Sequence, residues 1–176
     1  MVGSKAARLA ELRRAGFPTP LGFCIPVAAY RQHLERLWSD GGQEMLAARD
    51  FAGIHDWIRQ QPIDDETATC ILAEFRWLMA EAPHGVAVRS SSPAEDLRQH
   101  SFAGLYESVL DVRDEAGFLD AVRLCWASYW SDAAAMYRER VGIPHHAYGM
   151  ALLVQAMVRP ALAGVLFTQA PGERRD

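Results

Sequence analysis

Apolar residues recur at the three-to-four-residue spacing of amphipathic helices along much of the chain. In the first half, helices are predicted over residues 5–15, 26–37, 43–60 and 65–81. Gly16 is typical of a helix end, and Asp114 and Ser131, both favoured N-cap residues, open two later helices. The chain is therefore predicted to be rich in helices.

Shorter stretches have the alternating or continuous apolar character of β-strands. Strands are predicted at residues 22–25, 86–91, 107–112, 150–158 and 162–169. The last two are apolar at both alternating sets of positions, which is typical of a sheet covered on both sides. Together with the helices, these strands predict an α+β fold in which an antiparallel sheet is covered by helices.

The strand at 86–91 carries a charged residue, Arg89, out of an apolar run and into three consecutive serines. A charge at the end of a buried strand needs a partner, and the planar guanidinium suits an oxyanion such as phosphate. An ion pair with a nearby acid is the structural alternative. The sequence Ser-Pro-Ala-Glu at 92–95 fits a capping box and predicts a short helical turn after the strand.

Two further features are candidates for anion binding. Lys5 lies in the first turn of a predicted helix, after Gly3 and Ser4, and a helix N-terminus with small residues can receive phosphate. A solvated lysine is the ordinary alternative. The small residues of Ser101–Gly104 let backbone N–H groups approach an anion, and Ser108 follows them.

The strand residues Gln155 to Val158 suit the base of a nucleotide. A strand edge can recognise adenine through backbone hydrogen bonds, and the Met157 side chain can pack on the ring. Considered singly, Met157 is typical of a core residue and Gln155 of a polar strand residue. Their spacing relative to the candidate cations Lys5 and Arg89 favours a nucleotide-binding role for them.

Composition narrows the class of protein. The 176 residues carry a formal net charge of −4 and no long basic run, which argues against a nucleic-acid surface. Three widely spaced cysteines form neither a disulfide framework nor a metal motif, and they favour a reducing, cytoplasmic location. Adjacent His145 and His146 lack a third ligand at suitable spacing. No apolar run approaches the ~20 residues of a membrane span, and no signal peptide is evident.

Three segments resemble one protein family. Val-Ala-Val-Arg-Ser-Ser at 86–91, Ala-Glu-Asp-Leu at 94–97 and Ser-Phe-Ala-Gly at 101–104 are similar to the signature of the ATP-binding domain of pyruvate phosphate dikinase and phosphoenolpyruvate synthase. Rifampicin phosphotransferase and the glucan/water dikinases carry similar domains. Residues 3–12 with 15–23, and 154–158 with 163–168, resemble the opening helix and the later strand pair of the family. Ser4 stands where the family usually has a second glycine.

The resemblance implies that the chain is the smaller, N-terminal lobe of an ATP-grasp-like domain, which holds ATP between two lobes. It implies phosphate contacts from a lysine and an arginine, loop contacts from small residues, and adenine contacts from a strand edge. The residues at those positions are Lys5, Arg89, Ser101, Gly104, Ser108, Gln155, Ala156, Met157 and Val158.

By the same resemblance, residues 1–176 are expected to be a partial domain. The Mg²⁺ ligands of the complete domain, the histidine carrier domain and the acceptor domain are expected to lie outside it. Glu95 and Asp96 are the candidates for replacement metal ligands, although Glu95 fits the capping box.

The implied function is the ATP-binding portion of a phosphotransferase that phosphorylates a carrier histidine. The alternative is a reduced, non-catalytic module that keeps the fold for protein–protein contact. The expected partners are ATP and either the remaining domains of a parent enzyme or a second copy, bound through an exposed apolar face.

Overall fold

The computed structural model describes residues 1–93, 96–97, 100–101 and 104–164, and for residues 96–97 and 100–101 only the backbone. Seven α-helices are present in this part of the chain: α1 (Ser4–Arg14), α2 (Val27–Ser39), α3 (Gly42–Ala47), α4 (Phe51–Gln60), α5 (Asp65–Glu81), α6 (Glu115–Ala127) and α7 (Asp132–Arg140). A short 3₁₀ turn, Ser128–Trp130, connects α6 to α7. The strands are β1 (Gly22–Ile25), β2 (Val86–Ser91), β3 (Asp96–Leu97), β4 (His100–Ser101), β5 (Ser108–Val112) and β6 (Ala151–Ala156).

Four of the strands form one antiparallel sheet in the order β1-β6-β2-β5. The β2–β6 ladder at its centre pairs all six residues of each strand, from Val86 opposite Ala156 to Ser91 opposite Ala151. The short strands β3 and β4 form a separate hairpin. The two central strands are buried along nearly their whole length, as predicted for the strand at 150–158.

One face of the sheet packs on the helical layer. Val88, Leu152 and Val154 project from the central strands into a continuous apolar cluster with side chains of α2, α4, α5 and α6. Phe118 and Trp126 of α6 are completely buried there. Because large aromatic side chains remove the most apolar surface from water, this layer supplies most of the hydrophobic stabilisation.

Most predicted elements are confirmed with small shifts at their ends. The caps predicted for the later helices are present: the Asp114 side chain accepts from the Gly117 N–H, and the Ser131 side chain accepts from the Ala134 N–H. The single helix predicted over 43–60 is wrong. It divides into α3 and α4 because the Asp50 side chain caps a new helix by accepting from the Gly53 N–H.

Two other predictions fall near residues that are not described. The capping box at 92–95 includes residues 94 and 95, outside the described part, and the residues after them form the β3–β4 hairpin. The Ser92 hydroxyl donates to the Gly149 carbonyl. The strand predicted at 162–169 is wrong at residues 162–164, which are in no strand, and its remainder lies outside the described residues. Within the described chain, no helix has both the length and the apolar character needed to span a bilayer.

A completely buried arginine, Arg138, lies against the aromatic layer. Its Nη1 donates to the Tyr129 carbonyl at 2.7 Å, and its Cζ lies 3.9 Å from the centre of the Tyr129 ring. Its Nε donates to Nδ1 of His145 at 3.3 Å. Since a guanidinium can only donate, Nδ1 of His145 must be unprotonated and accept this hydrogen bond. The ring proton is then on Nε2, which faces Glu139. Burial, together with the charge of Arg138, lowers the pKa of His145 below its usual 6.5.

Acidification is expected to destabilise the protein through His145. Because the folded-state pKa is lowered, the unfolded chain binds more protons once the pH falls below 6.5, and the free energy of unfolding then decreases. His145→Asn keeps an acceptor near Arg138 but removes the titratable ring. Its urea midpoint should therefore fall less than that of the unaltered protein between about pH 7.5 and about pH 5.5.

Part of the pH dependence should remain in the variant, because burial also lowers the pKa of His33. Equal losses of stability in the two proteins would show that His145 does not carry the effect.

Candidate functional site

The sheet face opposite the core brings the predicted cation Arg89 and the predicted base contact Gln155 together. Residues that alternate with the core positions of β2 and β6 point to this face, with Ala87 opposite Gln155 and Arg89 opposite Leu153. Arg89 donates from Nη1 to Oε1 of Gln155 at 3.3 Å. The amide group therefore links the two central strands across this face.

Arg89 has a polar partner but no acidic one in the described part of the chain. Its side chain is half-buried, and no described carboxylate lies within the 4.0 Å of an ion pair. The acid-paired alternative therefore gains no support among these residues. A half-buried guanidinium with an amide partner retains donors for a further acceptor.

The second predicted cation, Lys5, lies at the same end of β2. Helix α1 begins at Ser4, and Nζ of Lys5 donates to the carbonyl oxygen of Ser90 at 2.9 Å. Because Ser90 follows Arg89 directly, Lys5 of α1 contacts β2 at the residue next to Arg89. The solvated-lysine alternative is wrong for this residue, since Lys5 is half-buried and bound to the strand.

Ser108 is the third predicted residue brought to this place. It lies on β5, directly opposite Arg89 in the ladder, so both side chains point to the same sheet face. Ser108 is exposed. Gly104 is exposed and has a φ of 78°, a conformation that glycine adopts without strain. Ser101 is in β4, and its side chain lies outside the described residues.

The predicted base-recognition strand uses part of its backbone internally. The Ala156 N–H donates to the Leu21 carbonyl at 2.8 Å, and the Met157 N–H donates to the Gly85 carbonyl at 2.9 Å. Neither N–H group remains for a ligand. The expectation of a strand edge at Gln155–Val158 is wrong, because β6 lies between β1 and β2 and ends at Ala156. Val158 is 59% exposed, and no described backbone carbonyl accepts from its N–H. Val158, two residues after the end of β6, therefore offers a backbone donor.

A cavity of about 270 Å³ lies elsewhere, between α2 and the residues around His145, and a smaller one of about 170 Å³ lies beneath α1. The smaller cavity is lined by Leu153 and Gln155 of β6, Cys24 of β1 and residues of α1. Burial raises the pKa of the Cys24 thiol to about 11, although the positive N-terminus opposes this, so the thiol remains protonated. No sequence pattern predicted this cavity.

Gly22 of β1 also lines this cavity. A Cβ at this position would lie 2.3 Å from the Val154 carbonyl oxygen, so only glycine allows β1 to approach β6 this closely. Among the described residues, no group of three His, Cys, Asp or Glu side chains is placed to hold a metal ion. The described part of the chain therefore does not fit a Mg²⁺ site, and the side chains of Glu95 and Asp96 lie outside it.

Comparison with known proteins agrees with the resemblance seen in the sequence. Residues 1–176 match the family described as "Pyruvate phosphate dikinase, AMP/ATP-binding domain". The chain is 38% identical to the rifampicin phosphotransferase of a Streptomyces species, over 99% of the chain and 22% of that relative. It is 35% identical to the probable phosphoenolpyruvate synthase of Staphylothermus marinus, over 97% of the chain and 22% of the relative.

A third relative, the probable phosphoenolpyruvate synthase of Methanothermobacter thermautotrophicus, is 34% identical over 100% of the chain and 28% of its own length. The chain thus spans about a quarter of the curated relatives it matches. The match covers the opening helix, the Arg89 strand and the Gln155 strand together. The chain belongs to the family of pyruvate phosphate dikinase AMP/ATP-binding domains.

Proposed function

We propose that this chain binds ATP on the sheet face that carries Arg89 and Gln155, as the nucleotide-binding portion of a phosphotransferase of the phosphoenolpyruvate synthase type. The observation that carries the proposal is the hydrogen bond from Lys5 to the carbonyl of Ser90, the residue next to Arg89 on β2. Two cations from separate elements, α1 and β2, suit an anion of high charge.

The triphosphate lies in this proposal against the end of β2. Arg89 grips phosphate oxygens through its planar fork, and Lys5 contributes a compact point charge. Ser108, opposite Arg89, adds a hydroxyl donor, and the segment Ser101–Gly104 adds backbone N–H groups. Since phosphoryl transfer depends mainly on positioning and charge neutralisation, these residues hold and orient the donor phosphates.

The adenine lies at the other end of the same ladder. Val158 donates its N–H to the ring edge, and Met157, which is half-buried, packs on the ring face. Gln155 and Ala156 form the strand behind them. Gln155 contacts Arg89, so the base end and the phosphate end share one connected set of side chains.

The later steps are proposed from the relatives. In this proposal the chain is the N-terminal lobe of an ATP-grasp domain, Mg²⁺ neutralises the phosphates when bound, and the phosphoryl group passes to a carrier histidine. The Mg²⁺ ligands, the carrier and the acceptor site belong to other parts of the parent enzyme. Contact with those parts, self-association through an apolar face and the cytoplasmic location remain predictions.

Removal of the Arg89 guanidinium should weaken the part of the affinity that depends on the phosphates. Arg89→Ala is expected to weaken ATP binding about tenfold to a hundredfold, because each hydrogen bond to a charged group contributes about 1.5–3 kcal/mol. Adenosine, which has no phosphate, should bind to the variant as it does to the unaltered chain. Isothermal titration with both ligands measures the difference.

The matched control is Arg76→Ala, which removes an exposed arginine paired with Glu115 in the helical layer. This control should bind ATP normally. Collapse of the ligand-free Arg89→Ala protein would instead identify Arg89 as a structural residue. Absence of ATP binding in the unaltered chain would favour the non-catalytic module.

The base end has its own test at Val158. Val158→Pro removes the backbone N–H, and it should weaken the binding of both ATP and adenosine about tenfold, the value of roughly one lost hydrogen bond at the upper end of the usual range. Val158→Ala keeps the N–H and should bind both ligands within about twofold of the unaltered chain. Equal affinities for the proline and alanine variants would exclude the Val158 N–H as the adenine donor.

A further inference from the structure

The beginning of α1 is fastened to the end of β2 by hydrogen bonds at three consecutive serines. Nζ of Lys5 donates to the Ser90 carbonyl at 2.9 Å, and the Ser4 hydroxyl donates to the Ser92 carbonyl at 3.4 Å. Between them, the Ala6 N–H donates to Oγ of Ser91 at 3.3 Å. These contacts join residues 85 to 88 positions apart in sequence.

The Ser91 hydroxyl both accepts and donates a hydrogen bond. It accepts from the Ala6 N–H, one of the four N–H groups that a helix N-terminus leaves without an internal partner. It donates to the carbonyl oxygen of Val2 at 3.3 Å. The Ser91 side chain is completely buried, so its hydroxyl is not available to a ligand.

Gly3 completes the contact from the helix side. It is the N-cap of α1, with a φ of 74°, and it is buried. A Cβ built on Gly3 would lie 1.6 Å from the Ser91 carbonyl oxygen, so any side chain would push α1 away from β2. The helix and the strand therefore meet backbone to backbone at this residue.

Polar contacts of this kind matter because α1 has little else to hold it. None of its eleven residues is buried, in contrast to every other helix of the described chain. A helix without a buried apolar face gains little stabilisation from packing. The position of α1 along β2, and with it the position of Lys5, therefore depends on polar contacts, among them those of Gly3 and Ser91.

We propose that Ser91, together with Gly3, is a positioning residue that sets Lys5 at a fixed distance from Arg89 for the triphosphate. The inference rests on the proposed function, since it assigns the purpose of the fixed distance to ATP. Ser91 and Arg89 belong to one strand, so fastening α1 to Ser91 determines where the ammonium group lies relative to the guanidinium.

Titration of the 176-residue chain with ATP and with adenosine tests the proposal. Ser91→Ala and Gly3→Ala should each displace Lys5 and weaken ATP binding about fivefold to tenfold, the value of about one hydrogen bond to the ligand. Adenosine binding should stay within about twofold. The double variant should lose no more than the stronger single variant, because both substitutions break the same contact.

The matched control is Ser128→Ala. Ser128 is also a buried serine, and its hydroxyl donates to the Cys125 carbonyl at 2.7 Å, but it lies in the helical layer. Its removal should lower the thermal midpoint without changing the ratio of ATP affinity to adenosine affinity. A merely structural role of Ser91 would give the same unchanged ratio, and that result would overturn the proposal.

Amide hydrogen exchange without nucleotide gives a readout that does not depend on ATP binding. The Ala6 N–H should exchange at least about tenfold faster in Ser91→Ala, because its acceptor is gone, whereas amides of β6 should not change. Unchanged exchange at Ala6 would overturn the proposal. Faster exchange in a chain that fails to bind ATP even when unaltered would reject the proposed function, and the positioning role with it.

Discussion

The pairing of β2 with β6 is the interaction on which the rest of the structure depends. These two strands lie side by side at the centre of the sheet. Because successive side chains of a strand point to opposite faces, each strand contributes residues to both faces. The positions of Val88 and Val154 build the core, and those of Arg89 and Gln155 build the candidate site. A slip of one residue would exchange the two sets, so the apolar burial on one face also fixes the chemistry on the other.

The two faces are covered by different kinds of interaction. On the core face, large side chains such as Phe118 and Trp126 exclude water, and the stabilisation is proportional to buried apolar area. On the other face, α1 is held through hydrogen bonds at Gly3 and the serines of β2. The core thus supplies stability, whereas the polar contacts supply geometry. Hydrogen bonds are directional, so they define a distance more sharply than apolar packing does.

Much of the fold could be predicted from the sequence because period and capping are local signals. The caps at Asp114 and Ser131 and the strand around Arg89 needed only neighbouring residues. The division of residues 43–60 at Asp50 was missed because a continuous apolar period outweighed one capping residue. In the site, the grouping of Lys5, Arg89 and Gln155 followed from the family resemblance. The internal use of the Ala156 and Met157 N–H groups did not, because their acceptors, Leu21 and Gly85, are distant in sequence.

The ladder between β2 and β6 also sets a distance. Leu153 lies opposite Arg89, and Ala156 is the last residue of β6, so these two points are three residues or about 10 Å apart at ~3.3 Å per residue. The backbone donor at Val158 follows two residues later. Side chains along this length can vary without altering it, but inserting or deleting one residue would change the span and reverse the faces beyond that point. In the proposed ATP-binding role, the number of residues sets the distance between the phosphate end and the base end, and the side chains at each end set the chemistry.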